Sequence, residues 1–259
     1  MPLLHIAGTT AQVDLVVFDK DGTLIDFHRV WGPRMMRAAV ALAAATGGGS
    51  ELIGHLCWSV GYDHEQALVL DQGPLATAPH DQLESVVVTA LFQSGQPWDQ
   101  ARALAREYLT PLMTAELSAA EIAPRVDLHQ ILAALTHNGT RLAIATTDCR
   151  RATEKLLDQL EIAGYFNTVL CGDDPGPVKP DPAVLTTLAR HQDVNLRQVI
   201  MVGDSISDLA MAHSAGVTSI GVRGGVGSEC ELSAHADILI DDIGAIRPAG
   251  TNCSIVICQ

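Results

Sequence analysis

Six short runs along the chain are apolar almost without interruption: residues 13–18 (VDLVVF), 141–146 (RLAIAT), 167–171 (NTVLC), 198–203 (QVIMVG), 217–222 (VTSIGV) and 237–241 (DILID). Runs this short and rich in β-branched residues predict strands buried on both faces, as in a parallel sheet. Between them, helical patterns cover 127–137, 149–160, 181–191 and 207–214, with Asp127 and Asp181 placed as caps and Gly139 and Gly216 as stops. Strands alternating with helices predict right-handed βαβ units, hence an α/β fold with a doubly wound parallel sheet.

Residues 27–120 carry a different pattern. Segments such as RMMRAAVALAAATGGG, SELIGHLCWSVG, PHDQLESVVVTALFQSG and DQARALAREYLTPLMTAELSAA are helix-length, divided by Gly, Pro or Ser, and show no strand alternation. So long a connection between the first and second strands predicts a domain of its own. The expected organisation is a core of residues 1–26 and 121–259 interrupted by a smaller all-helical domain at 27–120.

Composition narrows what such a chain does. A net charge of -14 disfavours nucleic acid and anionic membrane surfaces as partners, because both attract basic fields. No apolar run reaches the roughly 18 residues of a membrane span, and the N-terminus lacks a basic start followed by an apolar stretch, so a cytoplasmic location is expected. Cys57, Cys149, Cys171, Cys230, Cys253 and Cys258 are scattered and form no CxxC pair, which predicts free thiols instead of disulfides or a zinc site.

In a doubly wound sheet the loops at the C-terminal ends of the strands converge on the binding crevice. Four such positions carry chemistry: Asp19 and Asp21 after the first strand, Thr146 and Thr147 after the second, Lys179 in GDDPGPVKPDP, and Asp204 with Asp208 in MVGDSISD. Carboxylates gathered in one crevice repel one another unless a hard cation sits among them, and Mg²⁺ takes oxygen ligands of this kind. Lysine is scarce, occurring only at positions 20, 155 and 179, so a lysine in the motif loop is informative.

Taken in this order and at these strand ends, the motifs resemble the haloacid dehalogenase superfamily of phosphohydrolases and phosphotransferases, over residues 13–26 and roughly 121–245. The resemblance implies a Rossmann-like core and Mg²⁺ held by Asp19, by the backbone carbonyl of Asp21 and by Asp204. It implies Asp19 as the nucleophile that forms an aspartyl-phosphate and Asp21 as general acid and then base. Thr146 and the backbone N–H of Thr147 would bind phosphoryl oxygens, with Lys179 supplying positive charge. Asp208, four residues after Asp204, would reach the ion through water or orient Lys179. Gly22 and Thr23 continue the DxDGT signature and Asp26 matches a carboxylate common at its end, whereas Phe27 stands where many relatives have a small polar residue. For Lys20 two readings stay open, a supporting or exposed role and direct phosphate contact.

An insertion between the opening motif and the threonine motif is where phosphoglycolate phosphatase-like members carry a helical cap that closes over the core and selects substrate. The expected function is therefore Mg²⁺-dependent hydrolysis of a small phosphate monoester such as phosphoglycolate, by a monomer or a homodimer. Asp21 argues against dehalogenation, since dehalogenases of the superfamily lack that aspartate. The absence of lysine from Phe27 to Arg141 argues against a Schiff-base phosphonoacetaldehyde hydrolase. A sugar phosphomutase like β-phosphoglucomutase shares every core motif, and a catalytically silent binding or regulatory protein is a rival from another class. In the cap, an arginine among Arg29, Arg34 and Arg37, with His28 and Trp31 nearby, either clamps a substrate carboxylate or belongs to a solvated basic face. Tyr62, Asp63 and His64 either line the cap or are ordinary surface.

Overall fold

Along the chain the strands and helices begin with β1 (Leu3–Ile6), β2 (Thr9–Gln12), β3 (Leu15–Phe18), α1 (Phe27–Thr46), α2 (Ser50–Ser59), β4 (Tyr62–Asp63) and β5 (Leu68–Val69). They continue with α3 (Pro74–Thr77), α4 (His80–Gln93), α5 (Trp98–Tyr108), α6 (Thr110–Thr114), α7 (Leu128–His137), β6 (Arg141–Ala145), α8 (Arg150–Gln159) and β7 (Thr168–Leu170). The last are α9 (Ala183–His191), β8 (Val199–Gly203), α10 (Ile206–Ala215), β9 (Thr218–Val222), α11 (Glu229–His235), β10 (Ile238–Ile240) and β11 (Ile246–Pro248). This computed structural model describes residues 2–70 and 72–250.

The described residues divide into two units, one of residues up to Leu24, Pro124–Arg223 and Cys230 onward, the other of Ile25–Ala123 with Gly224–Glu229. The first unit is built on a six-stranded sheet in the order β10-β9-β8-β3-β6-β7 with every neighbouring pair parallel. All six strands coincide with the apolar runs read from the sequence. Alternation along the central strands splits the core in two. Val16, Phe18, Leu142, Ile144, Ile200 and Val202 face a layer that includes leucines of α7 and α8. Leu15, Val17, Ala143, Ala145, Val199 and Met201 face the opposite layer, with residues of α9 and α10. The central strands β3, β6 and β8 are buried on both faces because helices cover both, which is the doubly wound arrangement. Burying one side chain the size of Phe18 stabilises such a core by roughly 1.5–3 kcal/mol.

Capping follows the sequence signals. Asp127 accepts from the Gln130 backbone N–H at 3.0 Å at the start of α7, and Asp181 accepts from the Ala183 N–H at 2.8 Å. The three-stranded antiparallel sheet β11-β1-β2 was not anticipated. Its signal is short: Leu4 and Ile6 are buried between exposed neighbours, and Ile246 joins them in the core from the far end of the chain.

The second unit packs α1, α2, α4 and α5 around its own core, which runs from Phe27 and Met35 to Leu109 and Met113 and includes Val226. Asp26 opens α1 by accepting from the Arg29 N–H at 3.1 Å. This unit is not all-helical, however. A two-stranded hairpin pairs Tyr62 with Val69 and Asp63 with Leu68. Two residues per strand are too few for alternation to register, and Asp63 organises the connecting turn by accepting from the Glu65 and Gln66 N–H groups at 3.1 and 3.0 Å.

Candidate active site

Sheet register carries the candidate residues to one edge of the first unit. Phe18 is level with Ile144 on one side and Val202 on the other, so Asp19, Thr146 and Asp204 all leave the sheet within a residue of the same height. The Asp19 N–H donates to the Val202 carbonyl at 2.8 Å, which continues the ladder one step beyond β3 and fixes where its carboxylate begins.

Asp19, Asp204 and Asp208 are 7, 1 and 1 % exposed. Each offers a carboxylate oxygen within 4.8 Å of the other two. Lys179, on the loop before α9, places Nζ 2.5 Å from Asp19 Oδ1 and 2.5 Å from Asp208 Oδ1. Ser205 caps α10 and donates its hydroxyl to Asp208 Oδ2 at 2.7 Å, so Asp208 is held from two directions. The sequence reads Asp208 as reaching an ion through water or orienting Lys179; the structure places it beside Asp19 and Asp204 and in contact with Lys179.

Three clustered buried carboxylates, two of them paired with one ammonium, leave a local excess of negative charge, and the oxygens are of the kind a hard divalent cation takes. Backbone shape makes room for them. A Cβ on Gly22, whose φ is +86°, would overlap the Asp204 carboxylate, and one on Gly203 would meet Asp208 Oδ2 at 2.5 Å. The donor set therefore fits Mg²⁺. Burial pushes the Asp19 carboxyl up to about 7, with Lys179 pulling the other way and Asp208 and Asp21 adding to the rise. For Lys179, burial favours the neutral amine, but Asp19 and Asp208 outweigh it and hold the ammonium above the usual lysine range.

Asp21 lies outside this trio. Its carboxylate pairs with the Lys20 ammonium, which also reaches Asp148 Oδ2 at 2.9 Å. Lys20 is only 2 % exposed, so the idea of an exposed lysine is corrected: it is a buried side chain between two carboxylates. Thr146 is buried, and its hydroxyl oxygen accepts from the Asp148 N–H at 3.2 Å; Thr147 is exposed.

Two arginines that the sequence did not single out hold the loops in place. Arg125 donates from Nη1 to the Gly22 carbonyl at 2.8 Å and from Nη2 to the carbonyls of Arg223 and Asp241, tying the opening motif to the ends of β9 and β10. Arg150 grips Asp174 through Nε and Nη2 at 2.7 and 2.6 Å, which pins the start of the Lys179 loop to α8. Neither arginine lies in a motif; only three-dimensional proximity reveals them.

The candidate substrate contacts of the second unit are mostly occupied by structure. His28 accepts from the Val69 N–H at Nδ1, at 3.1 Å, which makes Nε2 the donor to the Gly225 carbonyl at 3.0 Å. Tyr62 is buried beside Gly32, where a Cβ would meet its ring at 2.7 Å. Arg34 is neither a solvated residue nor an available clamp. It is 2 % exposed and bound to Glu121 and to three backbone carbonyls. Phe27 is spent on the core beside Trp31, with ring centroids 6.3 Å apart. Arg29 and His64 remain exposed.

Comparison with known proteins supplies the family. The chain is 33% identical over 129 residues to a phosphoglycolate phosphatase of Agrobacterium fabrum, spanning 50% of this chain and 55% of that protein. It is 34% identical over 120 residues to the phosphoglycolate phosphatase of Escherichia coli K12, spanning 46% and 47%. The chain thus spans about half the length of the curated relatives it matches. A solved haloacid dehalogenase-superfamily hydrolase from Geobacter sulfurreducens superposes with a TM-score of 0.61 at 18% identity, covering 90% of this chain and 93% of that one, and so shares its fold. The family model for haloacid dehalogenase-like hydrolases matches residues 13–216, which takes in the whole constellation from Asp19 to Asp208, and the chain belongs to that family.

Proposed function

We propose that this protein is a Mg²⁺-dependent phosphatase that hydrolyses a small phosphate monoester, with phosphoglycolate the first candidate substrate. The observation that carries the reading is the buried constellation of Asp19, Lys179, Asp204 and Asp208 at the sheet edge. The named activity of the relatives from Agrobacterium fabrum and Escherichia coli supports it.

In this reading an Asp19 carboxylate oxygen attacks phosphorus in line, the bond to the leaving alcohol breaks, and an aspartyl-phosphate forms. Asp21 gives its proton to the departing alcohol oxygen, then takes one from the water that attacks the same phosphorus and frees Asp19. Lys179, the Thr146 hydroxyl and the Thr147 N–H compensate charge on the equatorial phosphoryl oxygens. Asp19, Asp204 and the Asp21 carbonyl would hold Mg²⁺, with Asp208 beside them, and the ion supplies further neutralisation of the transferring group. Free thiols at Cys57, Cys149, Cys171 and Cys230 are in keeping with a reducing compartment such as the cytoplasm. No helix among the described residues is long and apolar enough to cross a membrane.

A panel of phosphoglycolate, p-nitrophenyl phosphate and hexose phosphates, assayed for inorganic phosphate with Mg²⁺ and again after chelation, tests the reading. Release that needs the metal is expected. Absence of release with any divalent ion would defeat it, and conversion of glucose 1-phosphate to glucose 6-phosphate without net phosphate would replace it with a mutase. Metal binding has a separate readout: in calorimetric titration with Mg²⁺, Asp204→Asn is expected to weaken binding by at least about tenfold. Unchanged affinity would move the ion away from Asp204.

A further inference from the structure

Lys20 occupies an unusual position for one of only three lysines in the chain. Its stem is buried directly after the nucleophile, and its ammonium is shared between Asp21, on its own loop, and Asp148, on the loop after β6. A buried ammonium with both carboxylates in reach is not available to a substrate anion, which removes direct phosphate contact as its role. Asp148 is anchored in turn. Its N–H donates to the Thr146 hydroxyl oxygen at 3.2 Å, and its carbonyl accepts from the Gly172 N–H at 2.8 Å.

We propose that Lys20 and Asp148 act as a positioning pair for Asp21, holding its carboxyl group where the leaving alcohol departs; this rests on the phosphatase reading above. Two carboxylates on one lysine have a physical rationale. A buried ammonium held by Asp21 alone would be free to follow that side chain, whereas a second carboxylate, on another loop, fixes where it sits. Asp148, anchored at its N–H and its carbonyl, sets the position of the ammonium, and the ammonium sets the position of the Asp21 carboxylate. The same pair links the loop of the nucleophile to the loop of the phosphate-binding threonine, so a shift in either reaches both.

The test uses leaving groups that differ in their need for a proton. The value of kcat/KM covers steps up to the first irreversible one, here departure of the alcohol. A p-nitrophenolate leaves without protonation, whereas an alkoxide does not. In Asp148→Asn and Lys20→Met the ratio of kcat/KM on phosphoglycolate to that on p-nitrophenyl phosphate is expected to fall by about tenfold or more. Should another alkyl phosphate be the one the wild type hydrolyses, it takes the place of phosphoglycolate. A merely structural role lowers both values together and leaves the ratio where it was. Asp148 is about a third exposed, so Asp148→Asn decides the matter if Lys20→Met does not fold. An unchanged ratio in Asp148→Asn overturns the positioning role. If the wild type hydrolyses neither kind of substrate, the phosphatase reading fails instead.

Discussion

Asp19→Asn is expected to lower Mg²⁺-dependent phosphate release by a factor of ~10³ or more, while the protein stays folded. Asn matches Asp in shape, and the ladder bond that fixes position 19 is made by the backbone N–H, which the change leaves in place. In the proposed reaction the substitution takes away the charge of the attacking oxygen, and it removes one of the three clustered carboxylates. Losses from removing a nucleophile are large because the remaining groups have nothing to assist; positioning and charge compensation cannot replace the covalent step. Lys179 keeps Asp208 as a partner at 2.5 Å, so the loop that carries it has no reason to leave. Pre-steady-state p-nitrophenol release is the sharper measurement. Wild type that forms an aspartyl-phosphate faster than it hydrolyses it shows a burst, and Asp19→Asn has none. Residual activity within tenfold of wild type would move the nucleophile elsewhere.

The sheet and the gathering of Asp19, Thr146 and Asp204 at its edge were legible in the sequence for a shared reason. Strands buried on both faces print near-continuous apolar runs, and a doubly wound sheet brings the residue after each run to one edge. Asp19, Thr146 and Asp204 could therefore be placed from three unconnected stretches of sequence. Lys20 illustrates the limit. That a lysine lies between two aspartates is plain in the sequence, but its second partner, Asp148, is supplied by a strand pairing more than a hundred residues away. Arg125 and Arg150 escaped notice for the same reason, since their partners are backbone carbonyls and Asp174, an acid of the Lys179 loop to which the sequence reading gave no role. The N-terminal strands were missed because a four-residue strand offers only two inward positions, here Leu4 and Ile6.

Arg34 shows most clearly how a pattern on one helix misleads, and it carries the largest expected effect on stability. A basic residue on an amphipathic segment usually faces water, yet all five of its N–H groups are used inside the second unit. Nε and Nη2 meet the two oxygens of Glu121 at 2.9 and 3.1 Å. Nη1 donates to the carbonyls of Leu112 and Ala115 at 2.9 and 2.6 Å, and Nη2 also to that of Glu116 at 2.9 Å. The Trp31 ring lies 5.6 Å from the guanidinium carbon. This fork fastens the segment after α6 to α1, and no lysine can reproduce it. Arg34→Met is expected to destabilise the second unit by about 3–5 kcal/mol, because it takes the guanidinium from three carbonyls and from Glu121, whose carboxylate is left with Ser118 and Arg37. All three tryptophans, Trp31, Trp58 and Trp98, belong to this unit, so their fluorescence in a urea titration reports its unfolding. The deficit should depend on pH in a defined direction. The hydrogen bonds from Arg34 hold the Glu121 carboxyl well below the usual carboxylate range, aided by Ser118 and Arg37 against the opposing effect of burial. A carboxyl with a depressed folded-state pKa contributes its full stabilisation above its unfolded value and loses it as pH falls through the acid range. The gap between wild type and Arg34→Met is therefore widest at neutral pH and narrows steadily below about pH 4.5. A gap as wide at pH 3 as at pH 7 would show that the carbonyl contacts, and not Glu121, account for the loss.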